Sequence, residues 1–352
     1  MPSRKCLASG SIIRTPSGEA VVEDISAQMM VIAIRNGKEV AEQVVWVGHR
    51  HIDLTRHGRP ELAAPVRIRA GAIAEGQPSQ DLLVSPEHAL FIDGSLIQAR
   101  SLINGGTIVQ ERATKAITYY HIELASHGVF FANDLPVESY LDNDDRSFFE
   151  TDDQPLMLHP SLTPATELDP RMTDAAYAPF VTEPAALEPT WRRLAERSEA
   201  LGYPRQEMLL TADANLHIVA DGTVIMPIRS GNSRYVFAIP AGVKTASLVS
   251  RFVIPTDAEP YGADSRRLGV AVDSITIQSN GMERVIPADF PIEAAGWYDA
   301  ETASASLWRW TDGTAILPLG DLKSAAIVTI VARTHAAYPI YDEHVCPTLR
   351  AA

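Results

Sequence analysis

The sequence predicts a mainly β protein of two domains carrying one helix, and three observations support this. From residue 10 to about 140, and again beyond residue 210, short segments of apolar and polar residues alternate between turn residues, the two-residue period of half-buried strands. Asn36-Gly37 and Asp221-Gly222 each separate two such segments, and these dipeptides suit the two-residue turns of β-hairpins. Only Thr190 to Tyr203 repeats its apolar residues at helical spacing.

Taken in order, Ser11–Thr15 runs into the turn Pro16-Ser17-Gly18, and Val21–Ile25 follows as a strand. Met29–Ile34 and Glu39–Val47 form the hairpin around Asn36-Gly37. Val66–Ile68, Leu82–Val84, Leu90–Ile92, Thr107–Gln110, Ala116–Leu124 and Val129–Ala132 complete an all-β first domain over residues 1–141. Residues 142–187 change character. Asp142, Asp144, Asp145, Glu150, Asp152 and Asp153 crowd together and six prolines follow, so this stretch reads as an acidic, Pro-rich linker. The helix places Trp191, Leu194, Ala195 and Leu201 on one face, with Gly202 as its stop. Strands then return from Leu216–Val219 to Ala325–Ala332, which predicts a β-sandwich or jelly roll over residues 188–342, with 343–352 as a tail.

Composition narrows the function. Of 352 residues 46% are hydrophobic and 21% charged, as in ordinary globular proteins. A formal net charge of −14 argues against nucleic acid as partner, because two polyanions repel. No apolar run approaches the ~20 residues of a membrane-spanning helix. Met1–Lys5 is followed by no apolar stretch of signal-peptide length, so the sequence gives no export address and leaves the compartment open. With only Cys6 and Cys346, a disulfide framework is excluded. One bridge between them is conceivable, but a free Cys6 is the better reading. No metal or cofactor is expected. His49, His51 and His57 invite a zinc site, but their irregular spacing without a nearby cysteine favours a solvated loop.

Cys6 alone reads equally well as a small buried hydrophobe or as a nucleophile. Three later blocks change the balance. Val84-Ser85-Pro86-Glu87-His88 sets a hydroxyl and an imidazole three residues apart at a strand end. Tyr119-Tyr120-His121-Ile122-Glu123 follows, and then His127-Gly128-Val129-Phe130-Phe131-Ala132-Asn133-Asp134-Leu135-Pro136-Val137-Glu138-Ser139-Tyr140. In this order the blocks resemble the Hint superfamily of hedgehog autoprocessing domains, inteins and bacterial intein-like domains, over about residues 5 to 141.

The resemblance implies a horseshoe-like, pseudo-two-fold β fold and a cofactor-free N-to-S acyl shift. The Cys6 thiol attacks the Lys5 carbonyl and turns the Lys5–Cys6 peptide into a thioester. In that scheme His88 protonates the departing nitrogen, Ser85 orients the scissile peptide, and His127 assists acyl transfer or resolution. His121 and Glu123 alternate on one strand face, readable either as a supporting pair or as an exposed polar face.

The pattern departs from an intein where His-Asn would stand, since Glu138 and Ser139 occupy those positions. Serine has no amide nitrogen to form a succinimide, so splicing is not expected. Water or an outside nucleophile would resolve the thioester, with the chain's own N-terminal segment as substrate. Only Met1–Lys5 precedes Cys6 in this sequence, a poor cargo. The second expectation is therefore an inactive Hint scaffold carrying a β-sandwich that binds carbohydrate or another surface ligand. Trp308 and Trp310 would share a strand face opposite Arg309, as a stacking platform or, more commonly, as core.

Overall fold

The structure is a computed structural model that describes residues 5–57, 60–140, 176–205, 209–259, 261–262, 264, 266–290, 295–303, 306–320 and 322–340. It is mainly β and divides into two compact units, residues 1–206 with 260–263 and residues 207–259 with 264–352.

The first unit contains β1 (Leu7–Ala8), β2 (Ile12–Thr15), β3 (Gly18–Val21), β4 (Met30–Arg35), β5 (Lys38–Asp53), β6 (Val66–Ile68), β7 (Leu82–Val84), β8 (Ala89–Ile92), β9 (Ser95–Gln98), β10 (Ile108–Gln110), β11 (Ala116–Leu124), β12 (Val129–Ala132) and β13 (Leu135–Glu138). Among the described residues these join in the order β10-β6-β7-β1-β11-β5-β4-β12-β13-β8-β9, with β2 against β12 and β3 against β2. The β4–β5 hairpin turns at Asn36 (φ 51°) and Gly37 (φ 73°), with Arg35 opposite Lys38. Both turn residues are left-handed, the geometry that Asn-Gly adopts most easily. The long β5 then runs antiparallel to β11 from Asp53 opposite Ala116 to Trp46 opposite Glu123.

Strand β1 is two residues long but central. Leu7 pairs with Tyr120 of β11 on one side and Val84 of β7 on the other. Those two ladders aim the chain just before it, Lys5 and Cys6, at the ends of β7 and β11. Beneath lies a core in which Leu7, Ile13, Val31, Leu82, Val84, Leu90, Phe130 and Val137 are buried.

Three expectations need correction here. Val21–Ile25 is not a strand. A tight turn at Thr15–Gly18 starts β3 at Gly18, and Val22–Asp24 forms a 3-10 turn. The helix, α1 (Pro184–Ala200), starts earlier because Pro184 sits at its first turn, where a missing N–H costs nothing. It belongs with the first unit and not the second. Leu187 and Leu194 are buried in the first core, Trp191 Nε1 donates to the Ile103 carbonyl at 2.8 Å, and Ser198 Oγ accepts the Thr107 N–H at 2.9 Å. Gly106 makes this approach possible, since any Cβ there would collide with the Tyr203 carbonyl and Ser198 Oγ. The division between units therefore falls after the helix. Residues 142–175 of the expected linker and the whole expected tail, with Cys346, lie outside the described residues.

The second unit contains β14 (Leu210–Thr211), β15 (His217–Ala220), β16 (Thr223–Ile225), β17 (Arg229–Gly231), β18 (Arg234–Ile239), β19 (Ala246–Val249), the short helix α2 (Pro255–Ala258), β20 (Ala271–Ser279), β21 (Met282–Pro287), β22 (Trp297–Ala303), β23 (Ser306–Thr311), β24 (Thr314–Ile316), β25 (Ala326–Arg333) and β26 (Tyr338–Pro339). A sheet ordered β16-β15-β19-β24 and one ordered β17-β18-β25-β20-β23-β22, with β21 on β20, share one apolar core. Ile218 and Leu248 supply one side of it; Phe237, Ile275, Val328 and Ile330 supply the other. This is a β-sandwich. The Asp221-Gly222 hairpin forms as expected, with φ 45° and 82° and Ala220 opposite Thr223. Leu268–Val272 and Ser274–Ile277 are largely one strand, β20, with an irregular register between Val272 and Ser274. Among the described residues no helix is long and apolar enough to cross a membrane.

Candidate active site

The site is assembled around the Lys5–Cys6 peptide. Cys6 is buried and forms no disulfide among the described residues. Its Sγ lies 2.7 Å from Nε2 of His121, a residue that β11 carries just past the pairing of Leu7 with Tyr120. Its backbone N–H, the nitrogen of the peptide bond under discussion, donates to Ser85 Oγ at 2.7 Å. The Ser85 N–H in turn donates to the Cys6 carbonyl at 2.9 Å, so the β1–β7 ladder continues one residue beyond each strand. Ser85 therefore grips Cys6 from both sides of its backbone.

Sequence explains the local geometry. In Ser85-Pro86-Glu87-His88, Pro86 fixes φ at the second position of a four-residue turn. The turn closes with the His88 N–H on the Ser85 carbonyl at 3.1 Å. It folds the imidazole back toward the residues Ser85 holds. His88 is fully buried. Burial pushes its pKa down; the Glu138 carboxylate and the Lys5 carbonyl favour its protonated form, and the Lys5 ammonium opposes it.

Lys5 adopts φ 39°, in the left-handed region. A residue with a Cβ pays about 1–2 kcal/mol there, so the peptide ahead of Cys6 is held under strain. Its side chain is turned inward, with Nζ 3.3 Å from Glu138 Oε2 and 5.1 Å from the centre of the Phe180 ring. Glu138 is fully buried at the end of β13. Its Oε1 accepts the Ala89 N–H at 2.7 Å, and its Oε2 lies 3.5 Å from His127 Nε2. His127 Nδ1 accepts the Tyr177 N–H at 2.9 Å, so Nε2 carries the ring proton and faces the carboxylate. Next along, Ser139 Oγ accepts the Gly128 N–H at 2.9 Å.

The charges follow from this packing. Burial alone would raise the Glu138 carboxyl, but Lys5, the His127 hydrogen bond and the nearby histidines outweigh it and bring the pKa down to about 2. Burial, then His88 and Lys5, push His121 down to about 3 against the pull of Glu138. At neutral pH the cluster thus holds one carboxylate, one ammonium and a neutral His121 beside the thiol. Arg50, on β5 opposite Tyr119, is pushed down by burial, while a negative charge on Cys6 would favour its cationic form.

The structure thus gathers Cys6, Ser85, His88 and His121 around one peptide bond, and joins His127 to Lys5 through Glu138. Glu123 is half-buried two residues beyond His121 and opposite Trp46. His51 Nδ1 meets Thr118 Oγ1 at 3.1 Å and His49 stacks on Tyr120. In the second unit, Trp308 lies under the Arg333 guanidinium at 4.4 Å and Trp310 stacks on His335 at 4.8 Å. Arg309 is buried against Phe290. Sequence reading used Lys5 only for its carbonyl and Glu138 only as a departure from the intein pattern, and gave no role to Arg50 or Phe180. The one available sign was Glu138 standing in the position where an intein places histidine.

This β domain buries a cysteine thiol, a left-handed lysine ahead of it and three histidines, and comparison assigns its class. Residues 5–144 match the Hint domain family. The chain is a Hint-domain protein with a second, β-rich unit. Structures similar to it include the bacterial intein-like domain from Clostridium thermocellum, at 17% identity, covering 39% of this chain and 100% of that one, TM-score 0.30. A DnaB intein from Synechocystis sp. PCC 6803 is 13% identical and covers 39% of this chain and 99% of that one, TM-score 0.29. No match was found among curated proteins.

Proposed function

We propose that this Hint domain cleaves its own chain at Lys5–Cys6 through a thioester, without splicing. The observation that carries the reading is the placement of Cys6 Sγ 2.7 Å from His121 Nε2 while Ser85 Oγ holds the Cys6 nitrogen at 2.7 Å. The acyl shift moves one proton from sulfur to nitrogen, and these two side chains stand at its origin and its destination. His121, neutral because buried, accepts the thiol proton. The thiolate attacks the Lys5 carbonyl carbon and its electron pair moves onto oxygen, beside His88, whose ring N–H serves the oxyanion. As the C–N bond breaks, the Cys6 nitrogen, held in line by Ser85 Oγ, leaves as an amine with the proton that the thiol gave to His121, passed on through the neighbouring His88, so that one proton in all moves from sulfur to nitrogen. Release of the left-handed Lys5 conformation favours the forward step.

Water or an added nucleophile then attacks the thioester carbonyl, and Cys6 Sγ departs with its electron pair. Ser139 offers no amide to close a succinimide and its hydroxyl is already bonded to Gly128, which supports cleavage without splicing. The other reading, an inactive scaffold with a carbohydrate-binding sandwich, needs an open aromatic face. Trp308 and Trp310 are half-buried with Arg333 and His335 on their rings.

The test fuses a folded protein ahead of Met1 and follows the chain by intact mass with and without dithiothreitol. Thiol-accelerated scission at Lys5–Cys6 that Cys6→Ala abolishes supports the proposal. A fusion that stays whole under both conditions refutes it.

A further inference from the structure

Lys5 is the acyl residue of the scissile bond, and a lysine ammonium is an expensive group to bury. It is only 6% exposed and ends in an enclosure with a definite chemistry. Glu138 Oε2 supplies the counter-charge at 3.3 Å and the Phe180 ring supplies a π face at 5.1 Å. The carboxylate is itself built in: the Ala89 N–H fixes Oε1, and His127, oriented by the Tyr177 N–H, faces Oε2. Phe180 is held by a parallel bridge to Leu96, with Val181 N–H on the Leu96 carbonyl at 3.0 Å and Leu96 N–H on the Pro179 carbonyl at 2.9 Å. These walls come from β8, β13, the turn before β12 and the strand-like segment around residue 180, four separate stretches converging on one side chain.

Resting on the proposed self-cleavage, we infer that Glu138, His127 and Phe180 form a specificity pocket that selects lysine at the position preceding the nucleophile. None of the three touches the reacting atoms, so they act through Lys5. Seating its ammonium sets the left-handed backbone at φ 39° and holds its carbonyl beside His88. A neutral side chain of similar length leaves the buried carboxylate short of its principal counter-charge. An acidic one sets two carboxylates against each other. Sites built around a buried charge discriminate steeply, because the wrong partner leaves that charge uncompensated. His127 thereby has a task other than proton transfer: it shares the carboxylate with the substrate's ammonium.

The experiment uses the full chain with a folded protein fused ahead of Met1 and hydroxylamine as nucleophile, and compares cleavage rates for Lys, Arg, Met and Glu at position 5. These changes lie on the departing segment and leave the pocket walls intact, so this series decides the matter even if a wall variant misfolds. The pocket predicts about a 100-fold slowing for Lys5→Met, more for Lys5→Glu, and an intermediate rate for Lys5→Arg. Glu138→Gln in the native chain slows cleavage to a similar degree. The double variant Lys5→Met with Glu138→Gln recovers to within about tenfold of the native rate, because both charges are gone. Fusions that cut equally fast with all four residues at position 5 overturn the pocket and leave self-cleavage standing. A native fusion that is not cut at all overturns the self-cleavage reading and this inference with it.

Discussion

The thiol of Cys6 and Nε2 of His121 are 2.7 Å apart, both buried, Cys6 one residue ahead of β1 and His121 one residue past the pairing of Leu7 with Tyr120 on β11. In the proposed self-cleavage His121 is the group through which the Cys6 proton leaves. His121→Gln keeps the approximate shape and removes the base. It should slow thiol-induced cleavage about 100-fold or more, measured by single-turnover mass spectrometry, while the melting temperature stays near that of the native chain. An unchanged rate assigns proton removal elsewhere.

Ser85→Ala withdraws the acceptor from the Cys6 N–H and leaves a buried donor unpaired. The expected penalty is about 1–3 kcal/mol of stability, read by chemical denaturation. Cleavage should fall further than stability explains, because the nitrogen loses the side chain that aligns it. Ser85→Thr restores the hydroxyl and should recover most of the rate.

Acid should unfold the first unit. His121 has a folded pKa of about 3 against an ordinary value near 6.5, so the unfolded chain binds its proton first as pH falls. Stability is therefore full above about pH 6.5 and declines toward pH 3, by at most about 1.4 kcal/mol per pH unit for one site. His88 is shifted in the same direction. Glu138, at about 2, contributes stability above its ordinary 4.5 that is lost as pH falls toward 2. Denaturation midpoints from pH 7 to 4 should drop, and His121→Gln should flatten the slope. A stability curve level over that range contradicts the buried neutral histidine.

The helix outside the matched region should matter to the Hint domain. Gly106→Ala drives a methyl group into the Tyr203 carbonyl and Ser198 Oγ and should destabilise by at least about 2 kcal/mol. Limited proteolysis should then open the chain around residues 184–205. Unchanged protease resistance would show that the helix docks independently of this contact.

Much of this was legible in the chain. Asn36-Gly37 and Asp221-Gly222 announced their hairpins because only left-handed residues close such turns. Ser85-Pro86-Glu87-His88 announced a hydroxyl and an imidazole three residues apart at a strand end. Other features were not. Strand β1 has two residues, too few to display a period, although it places the nucleophile. Strand β13 contains Pro136, which ordinarily argues against a strand, yet all four of its residues are buried. The amphipathic helix declared that it buries a face, not which core receives it. The Lys5–Glu138 pair joins the two ends of the domain, and nothing local in sequence foretells such a partner.

The most direct measurement is the mass of the upstream fragment released when a fusion carrying Met1–Lys5 is treated with hydroxylamine. A thioester at Lys5 predicts a fragment ending in a Lys5 hydroxamate, absent from Cys6→Ala. A fragment ending only in a free carboxylate, or a hydroxamate that persists in Cys6→Ala, would contradict an acyl shift onto Cys6.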